Sequence, residues 1–500
     1  MCADLASPRI AVVGAGMGGI GLAVRLLEAG FDRLTLYERG GGVGGTWWHN
    51  TYPGAEVDTP SAIYSYSFFP WNWSRTHCGQ AELQNYLQEV ANRFGVTPHI
   101  RFGTDVSRVV WDDALQCWEL GSERGVLGHA DFVVSAVGML SDPKYPDWPG
   151  LEDFEGPAFH TARWEHDHDL SGKHVAVVGS GSSGVQIVPA LAEVAGRVTM
   201  FQREPGWIVP KNSRDFTEAE RRALDNKAAQ RISRVLMLLR RERGLVAGKI
   251  FRPGTAENSG AERIARDYIA SVFADRPDLL EAVTPTYSYM GKRPITADNF
   301  YPSLLRDNVS LVPRAVEKVT SNGLIDTEGV VHEVDVLVVS TGFQVKYLAS
   351  LDVVGRDGVE LHKFWAGEPR AFLGMMVPNY PNFFMMYGPN TNGGAIATNL
   401  ELQARYIVAA IKHARRRRAS SIEVKRTAYD VFDAWLMGRL RGTAFEYQNN
   451  YYKTDSGRIT TQWPDGILLY GALTKALRSA VWETKSRAPR SAVTSVGVSR

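Results

Sequence analysis

The sequence has few of the features that mark secreted, membrane-spanning or metal-binding proteins. Three of its 500 residues are cysteine, Cys2, Cys78 and Cys117, and they form neither a close pair nor a metal-ligand spacing. This excludes a disulfide framework and is typical of a reducing cytosol. No apolar run approaches the roughly 20 residues needed to span a bilayer. The formal net charge of +2 gives no indication of a polyanionic partner.

The beginning of the chain leaves little room for a secretory signal. An apolar, strand-like run at residues 9–13 starts within about ten residues of the first methionine. We therefore expect a cytoplasmic protein with no stable membrane association. The apolar fraction of 44% and the charged fraction of 22% are those of an ordinary globular protein. A chain of this length is expected to form two or three domains.

The apolar run leads into a glycine-rich turn and then a helical pattern. The turn has the spacing Gly14-x-Gly16-x-x-Gly19. The first two glycines let the backbone approach a pyrophosphate, and the third lets the helix pack on the strand. Glu38 ends the next strand, where a carboxylate can accept hydrogen bonds from ribose hydroxyls. The pattern predicts a dinucleotide site.

A second copy of the same pattern follows about 165 residues later along the chain. Its turn reads Gly179-Ser180-Gly181-Ser182-Ser183-Gly184, and Gln186 opens the helix. The next strand is followed by Arg203, whose guanidinium can pair with a 2′-phosphate, which favours NADPH over NADH. Glu204 stands beside it and would repel that phosphate. Two such patterns predict two nucleotide cofactors.

The segment between the two patterns is rich in glycine, proline and aromatic residues. It reads Phe154-Glu-Gly156-Pro-Ala-Phe-His160-Thr-Ala-Arg-Trp164. Its position suits a connection between two sites. The residues alone leave two interpretations open, because His160 could equally be an inert, hydrogen-bonded side chain of a packed inter-domain linker.

The spacing Phe-x-Gly-x-x-x-His-x-x-x-Trp resembles the fingerprint of the type I Baeyer–Villiger monooxygenases. The match is complete through Trp164, whereas Glu165 stands where the family usually has Pro or Asp. Relatives that oxygenate nitrogen or sulfur tend to have Tyr or Phe in place of this tryptophan. The resemblance implies FAD and NADPH as cofactors, O₂ and a ketone as substrates, and an ester or lactone formed through a C4a-peroxyflavin.

A loop rich in glycine and aromatic residues follows the first dinucleotide pattern and matches a second motif of the family. It contains Gly45-Thr46-Trp47, Tyr52-Pro53-Gly54 and Asp58. The resemblance implies that Asp58 lies in the active site. Without the family, an aspartate that caps the turn of residues 58–61 is an equally good interpretation. The resemblance also implies a set of flavin-contacting residues, Thr46, Trp47, Trp48, His49 and Tyr64, and a contact to the adenosine of FAD at about Val106.

The stretch Met290-Gly-Lys292-Arg293-Pro294 would ordinarily be a solvated turn. In the family this Lys-Arg-Pro carries the catalytic arginine. The resemblance therefore implies that Arg293 is catalytic, that Lys292 holds the 2′-phosphate of NADPH, and that Asp58 pairs with Arg293. His160 would couple the two domains through geometry and without proton transfer.

The predicted fold is α/β, with two Rossmann-like dinucleotide-binding domains, for FAD and NADPH, and a helical insertion. We expect the FAD domain at 1–148 and 378–484, and the NADPH domain at 149–213 and 291–377. The insertion would occupy 214–290, and 485–500 would be a flexible tail.

Other functions stay open at this point. A flavin monooxygenase acting on sulfur or nitrogen would use the same cofactors, and a non-catalytic nucleotide sensor would bind them. A flavin disulfide reductase is disfavoured because the sequence has no Cys-x₄-Cys pair. We expect no metal and no nucleic-acid partner, and a monomer or weak homo-oligomer.

Overall fold

The computed structural model describes residues 7–447 and 449–486, and two five-stranded sheets organise it. The first part of the chain forms β1 (Ile10–Val13), α1 (Met17–Glu28), β2 (Leu34–Tyr37), α2 (Thr46–His49), α3 (Gln80–Arg93), β3 (Ile100–Arg101), β4 (Arg108–Asp112), β5 (Cys117–Ser122), β6 (Gly125–Ala130) and β7 (Phe132–Ser135).

The middle of the chain contains the second sheet and most of the helices. Its first half forms β8 (Ala158–His160), β9 (His174–Val178), α4 (Ser182–Leu191), β10 (Arg197–Phe201), β11 (Ile208–Val209), α5 (Glu218–Leu224), α6 (Lys227–Leu245), α7 (Ala256–Val272) and α8 (Pro277–Val283). Its second half forms β12 (Ile295–Thr296), α9 (Phe300–Ser303), β13 (Val309–Val312), β14 (Val316–Thr320), β15 (Gly323–Asp326), β16 (Val331–Glu333), β17 (Val336–Val339), β18 (Asp352–Val354) and α10 (Leu361–Trp365).

The last part of the chain returns to the first sheet. It forms β19 (Phe383–Met385), α11 (Ile396–Arg416), β20 (Ala419–Val424), α12 (Arg426–Leu440), α13 (Ile467–Ala476) and β21 (Trp482–Ser486). Short 3₁₀ helices occur at Thr97–His99, Leu151–Asp153, Thr161–Arg163, Val246–Phe251, Arg356–Gly358 and Ala444–Glu446. The predicted tail begins within β21, and residues 487–500 lie outside the described residues.

Both large sheets are parallel, as alternating strands and helices predict. The first has the order β19-β7-β1-β2-β3 and the second β13-β10-β9-β17-β8. Every residue of β1, β7 and β17 is buried, which is expected for strands covered by helices on both faces. The two Rossmann-like units predicted from the sequence are thus present. The segment Phe154–Trp164 supplies β8, the edge strand of the second sheet.

The third glycine of each turn is required by the packing of helix on strand. A Cβ atom on Gly19 would lie 2.0 Å from the carbonyl oxygen of Gly14, and one on Gly184 would lie 2.0 Å from that of Gly179. Gly14 and Gly179 themselves have φ of 104° and 116°, which disfavours any residue with a side chain. The two turns therefore meet the same steric demand in the same way.

The remaining strands form small sheets at the edges of the two units. Strands β4, β5 and β6 pair with β18 in a four-stranded sheet, and β14, β15 and β16 form a three-stranded sheet. The pairs β11–β12 and β20–β21 complete the described strands. The short parallel pair β11–β12 matters for the site, because β12 begins two residues after Arg293.

Helices α5 to α8 form the predicted helical insertion, and a buried carboxylate anchors it to the end of the chain. Glu242 on α6 is 5% exposed and accepts hydrogen bonds from the backbone N–H groups of Ile467 and Leu468, at 2.9 and 3.1 Å. These are unpaired donors in the first turn of α13. Gly466 permits the contact, since a Cβ atom there would lie 2.1 Å from the carboxylate.

We predict that Glu242→Ala lowers the free energy of unfolding by about 2 kcal/mol, because it leaves one buried and one partly buried N–H group without an acceptor. Urea unfolding followed by tryptophan fluorescence measures the change. Glu218→Ala on exposed α5 is the control and should change the value by less than about 0.5 kcal/mol. An unchanged unfolding midpoint for Glu242→Ala would show that this contact does not stabilise the fold.

Candidate active site

Two adjoining cavities lie between the two units. The smaller has a volume of about 170 Å³ and the larger about 940 Å³. They share a wall. The segment after the glycine loop of the first unit and the turn after β17 of the second both contribute residues to it. The residues that line both cavities are Thr46, Trp47, Asn50, Tyr64, Leu140, Phe343, Tyr387 and Ile396.

The smaller cavity collects most of the residues predicted to bind FAD. These are Gly14, Gly16, Glu38, Thr46, Trp47, His49, Tyr64 and Val106. The carboxylate of Glu38 is already fixed, since it accepts hydrogen bonds from the backbone N–H groups of Ala15 and Gly40, both at 2.7 Å. Each of its oxygens keeps a free lone pair for a ribose hydroxyl. The arrangement fits the adenosine half of a dinucleotide.

Two residues predicted to bind FAD, Trp48 and Gly19, do not line the smaller cavity. The ring of Trp48 packs against the glycine loop that follows β2, within 2.3 Å of where a Cβ atom on Gly42 would lie, and the side chain is 40% exposed. It forms no part of either cavity wall. Gly19 serves the packing of α1 on β1, as described above. The roles of these residues toward a cofactor stay predictions.

The larger cavity collects the residues predicted to bind the second nucleotide. These are Gly179, Ser180, Gly181, Ser182, Ser183, Gln186, Arg203, Lys292 and Arg293, while Gly184 packs beneath the turn. Ser340 also lines this cavity, and its buried hydroxyl has no hydrogen-bond partner. A buried polar atom of this kind normally has one. The cavity therefore offers both a phosphate turn and a polar group that a ligand can satisfy.

The loop of the first unit is tied directly to the phosphate turn of the second. The hydroxyl of Tyr52 donates to Gln186 Oε1 at 2.8 Å, and Gln186 Nε2 donates to the carbonyl oxygen of Glu56 at 2.9 Å. Glu56 also pairs with the buried amine of Lys211 at 2.7 Å. These contacts fix the segment that ends at Asp58 against the second unit.

The predicted partners Asp58 and Arg293 form an ion pair across the larger cavity. Burial alone would raise the pKa of Asp58, but the charge and hydrogen bond of Arg293 hold it below its usual value. The charge of Asp58 in turn raises the pKa of Arg293 well above its usual value. Both groups are therefore charged at neutral pH. The side chain of Arg293 is still 43% exposed, so it can meet a substrate.

Short contacts hold the aspartate in this pair. The hydroxyl of Thr59 donates to Asp58 Oδ1 at 3.2 Å. The hydroxyl of Thr296, in β12, donates to the carbonyl oxygen of Asp58 at 3.1 Å. Because β12 begins two residues after Arg293, one short strand positions both members of the pair. The interpretation of Asp58 as a mere turn cap is therefore incomplete.

Glu204 occupies the place where the sequence predicts a phosphate. Its carboxylate forms an ion pair with Lys292 and accepts a hydrogen bond from the hydroxyl of Tyr447. Burial would raise the pKa of Glu204, but hydrogen bonds from Lys292 and Tyr447 lower it below its usual value. The ring of Tyr287 stacks on Tyr447 at 4.6 Å and lies 5.4 Å from the Lys292 amine. The cation predicted to hold a 2′-phosphate is thus already paired.

His160 links the edge strand β8 to the turn after β17. It is fully buried; its Nδ1 accepts from the N–H of Ala162 at 3.0 Å, and its Nε2 lies 3.0 Å from the carbonyl oxygen of Gly342. Nε2 must therefore carry the proton. Burial lowers the pKa of His160 to about 4, so the ring is neutral at pH 7. This geometry suits the predicted structural coupling, because the one ring proton is donated to a backbone carbonyl and the other ring nitrogen is occupied by a backbone N–H.

The rest of the segment packs around this histidine. A Cβ atom on Gly156 would lie 2.2 Å from the carbonyl oxygen of Asp335. Trp164 makes an edge contact with Phe159 at 4.8 Å, and Phe154 packs against the apolar cluster beneath the second sheet. The Phe, Gly, His and Trp of the fingerprint thus pack the edge strand β8 and its flanking residues against the second unit.

Two residues near the ion pair were not singled out by the sequence. Tyr387 lines both cavities, has φ of 56° and donates to Asn392 Oδ1 at 2.7 Å. A bulky residue with positive φ is strained and is often found at functional sites. Arg241, on α6, acts electrostatically on both Asp58 and Arg293. Neither belongs to a motif, although Tyr387 lies just after β19.

Known proteins share this architecture over almost the whole chain. A family profile described as pyridine nucleotide-disulphide oxidoreductase matches residues 11–235. The chain is 38% identical to a Baeyer-Villiger monooxygenase of Streptomyces coelicolor, over 96% of this chain and 93% of that protein. The chain belongs to the type I Baeyer–Villiger monooxygenase family. The resemblance inferred from the fingerprint is thereby confirmed.

Two further proteins similar to this chain are described by different substrates. A structure described as oxidized steroid monooxygenase bound to NADP has a TM-score of 0.87 and 30% identity, and the match covers 96% of this chain and all of that one. The chain is also 32% identical to a phenazine N-monooxygenase of Lysobacter antibioticus, over 85% of this chain and 86% of that protein. The two-Rossmann fold of the Baeyer–Villiger enzymes is thus confirmed.

Across residues 7–447 and 449–486, no helix has both the length and the apolar character needed to cross a bilayer. The same residues contain no cluster of three or more metal-ligating side chains.

We predict that stability falls between pH 6.5 and pH 4 partly through His160. Its pKa is about 4 in the folded protein against an ordinary value of 6.5. The unfolded chain therefore takes up the proton first as the pH falls, at a cost to the folded state on the order of 3 kcal/mol. His160→Gln keeps a donor for Gly342 and should make the slope of the melting temperature against pH shallower.

The matched control is His129→Gln, because His129 is exposed and lies far from this contact; it should leave the slope as it is in the native protein. The slope should not vanish in His160→Gln, since His77 is also buried and its pKa is also lowered to about 4. An unchanged slope in His160→Gln would mean that His160 is not neutral in the folded state.

Proposed function

We propose that this protein inserts one oxygen atom of O₂ beside the carbonyl of a ketone, giving an ester or lactone. FAD and NADPH, the cofactors of its family and those predicted from the sequence, supply the activated oxygen and the electrons. The observation that carries the proposal is the Asp58–Arg293 ion pair, which faces the larger cavity beside the wall that both cavities share.

The residues present fit both nucleotides. For FAD, the holding groups would be the turn at Gly14 and Gly16, the carboxylate of Glu38, and the loop from Thr46 to His49. For NADPH they would be the turn at residues 179–183, with Arg203 and Lys292 toward the 2′-phosphate. Backbone N–H groups at a helix amino terminus are suited to a pyrophosphate in both cases. Ser340 adds a free hydroxyl in the second cavity.

Arg293 supports the proposed reaction because its charge is permanent. A ketone carbonyl that is attacked develops negative charge on its oxygen, and a fixed guanidinium stabilises that charge. Asp58 holds the guanidinium in one orientation from the opposite unit. It also balances part of the positive charge, so the arginine does not have to be desolvated as a lone ion when the cavity fills.

Oxygenation of nitrogen or sulfur is the second candidate, and the relative described as a phenazine N-monooxygenase favours it. Trp164 speaks against it, since heteroatom-oxygenating relatives tend to have Tyr or Phe at this place in the fingerprint. Product analysis with a ketone, a thioether and an aromatic N-heterocycle, each offered separately to the FAD-containing enzyme, distinguishes the two reactions.

We predict that Arg293→Ala lowers ester formation at least a hundredfold, which is roughly the effect of losing one fixed donor to a developing oxyanion. FAD binding should persist, because Arg293 does not line the smaller cavity. Arg293→Lys should recover part of the activity, since it keeps the charge but loses the planar fork. Gas chromatography of the ester together with the flavin absorbance gives both readouts.

The control for these variants is Arg306→Ala, at an exposed arginine that pairs with Glu193 far from the cavities. It should retain full activity. Substantial ester formation by Arg293→Ala, with FAD bound, would remove Arg293 from the mechanism. Loss of FAD in the same variant would instead show that the arginine supports the fold of the first unit.

We predict that Glu204→Gln strengthens the binding of NADP⁺ by on the order of tenfold, because the native carboxylate repels a 2′-phosphate and occupies Lys292. The amide keeps an acceptor for Tyr447. Binding of NAD⁺, which lacks that phosphate, should change much less. Isothermal titration of the oxidised enzyme with each coenzyme measures the ratio.

Glu193→Gln serves as the control for loss of one negative charge from the same unit, since Glu193 lies in the exposed pair with Arg306. It should leave both affinities unchanged. If Glu204→Gln does not change the ratio of the two affinities, the phosphate does not meet Glu204, and the placement of Lys292 at the phosphate would have to be abandoned.

A further inference from the structure

Helix α6 is attached to the protein along one face only. Arg234 is 7% exposed and donates to the carbonyl oxygen of Ala62 at 2.6 Å and to the hydroxyl of Thr398 at 3.1 Å. Two turns later, Glu242 caps α13 from the same helix. These contacts fix which side of α6 faces inward and which side faces solvent.

The outward side of α6 carries an exposed apolar stripe. Ile232 is 62% exposed, Val235 52%, Leu236 50% and Leu239 47%. Their spacing of three, one and three residues places them next to one another on the helix surface. Together they expose on the order of 400 Å² of mostly apolar surface, which is the size of the largest apolar patch on a typical soluble monomer, and such a patch is often functional.

The charged residues that α6 places beside the stripe all have one sign. Arg241 lies on the opposite side of the helix, toward Asp58 and Arg293. Those next to the stripe are the exposed Arg231, Arg240 and Arg243. None of them forms an ion pair with any residue that the structure describes, whereas most other cations of the insertion do, such as Arg222, Lys249 and Arg266. The only acid of α6, Glu242, is turned inward. An apolar stripe flanked by free cations is the pattern of a helix that lies in the interface of an anionic bilayer.

The carboxyl end of α6 also lies close to the catalytic pair. Desolvation lowers the pKa of Arg241, and the charges of Asp58 and Arg293 act on the same group. One side of α6 therefore carries the stripe, and the opposite side carries Arg241 toward the larger cavity.

A second copy of the chain suits this surface less well than a lipid surface does. In a two-fold dimer formed through the stripe, each copy would present the same patch to the other. The free cations of α6 would then face each other across the contact, and like charges this close are destabilising. Anionic headgroups would instead neutralise them, and this attraction strengthens binding for each cation near the membrane surface.

We propose that α6 docks the enzyme reversibly on anionic lipid surfaces, with its apolar stripe in the boundary between headgroups and acyl chains. The contact is peripheral, since a single half-buried stripe of four side chains does not anchor a protein stably. An apolar ketone that partitions into the bilayer is then concentrated around the docked enzyme. The docking itself does not depend on which atom of the substrate is oxygenated.

The test is co-sedimentation of the full-length, FAD-containing protein with vesicles. One set consists of phosphatidylcholine alone and the other of two parts phosphatidylcholine to one part phosphatidylglycerol. We expect binding to the mixed vesicles, little binding to the neutral ones, and release as the salt concentration rises. Arg231→Gln combined with Arg240→Gln should weaken binding at least tenfold and flatten the salt dependence.

A second variant separates the apolar contribution from the electrostatic one. Leu236→Ser combined with Leu239→Ser should also weaken binding about tenfold while leaving the salt dependence in place. Val431→Ser is the matched control, since Val431 is 70% exposed on α12, and it should bind like the native protein. The four substituted positions on α6 are exposed, so each variant should fold normally. Melting temperatures check that it does.

Three results would overturn the proposal. One is the absence of sedimentation with the mixed vesicles. Another is binding that neither pair of α6 substitutions changes. The third is a concentration-dependent dimer, seen by light scattering, that Leu236→Ser with Leu239→Ser abolishes, because the stripe would then be the contact between two copies of the chain.

Discussion

The ion pair between Asp58 and Arg293 is the constraint on which the rest of the site depends. One partner follows the glycine loop of the first unit and the other precedes β12 in the second, 235 positions away. Neither unit alone can assemble the pair. The hydrogen bonds of Tyr52 and Gln186, and that of Thr296 to the backbone of Asp58, hold the two units in the register that the pair requires.

The sequence predicted the parts of this site that short motifs encode. The turns at Gly14 and Gly179 were identifiable because a pyrophosphate site needs glycines at fixed spacing after a strand, and the parallel sheets followed from the same βαβ pattern. Asp58 and Arg293 were found through the family resemblance. Their contact could not be derived from the residues alone, because nothing in either local sequence specifies a partner in the other unit.

The features that the sequence did not reveal arise from packing between distant segments. The bond from Tyr447 to Glu204 joins positions 243 residues apart, and no periodicity or spacing connects them. Trp48 faces the loop after β2 because three glycines there leave room for its ring, a steric fact invisible to motif matching. The exposed side of α6 is likewise defined only once Arg234 and Glu242 are known to face inward.

Both ring nitrogens of His160 are engaged by backbone groups of the second unit. The position needs an acceptor for the Ala162 N–H and a donor for the Gly342 carbonyl, held rigidly on opposite sides of one small ring. A neutral imidazole in a single tautomer supplies both, and no other side chain does so with the same stiffness. A substitution that removed either the donor or the acceptor would leave one of these two backbone groups without its partner, and with it one tie between β8 and the turn after β17.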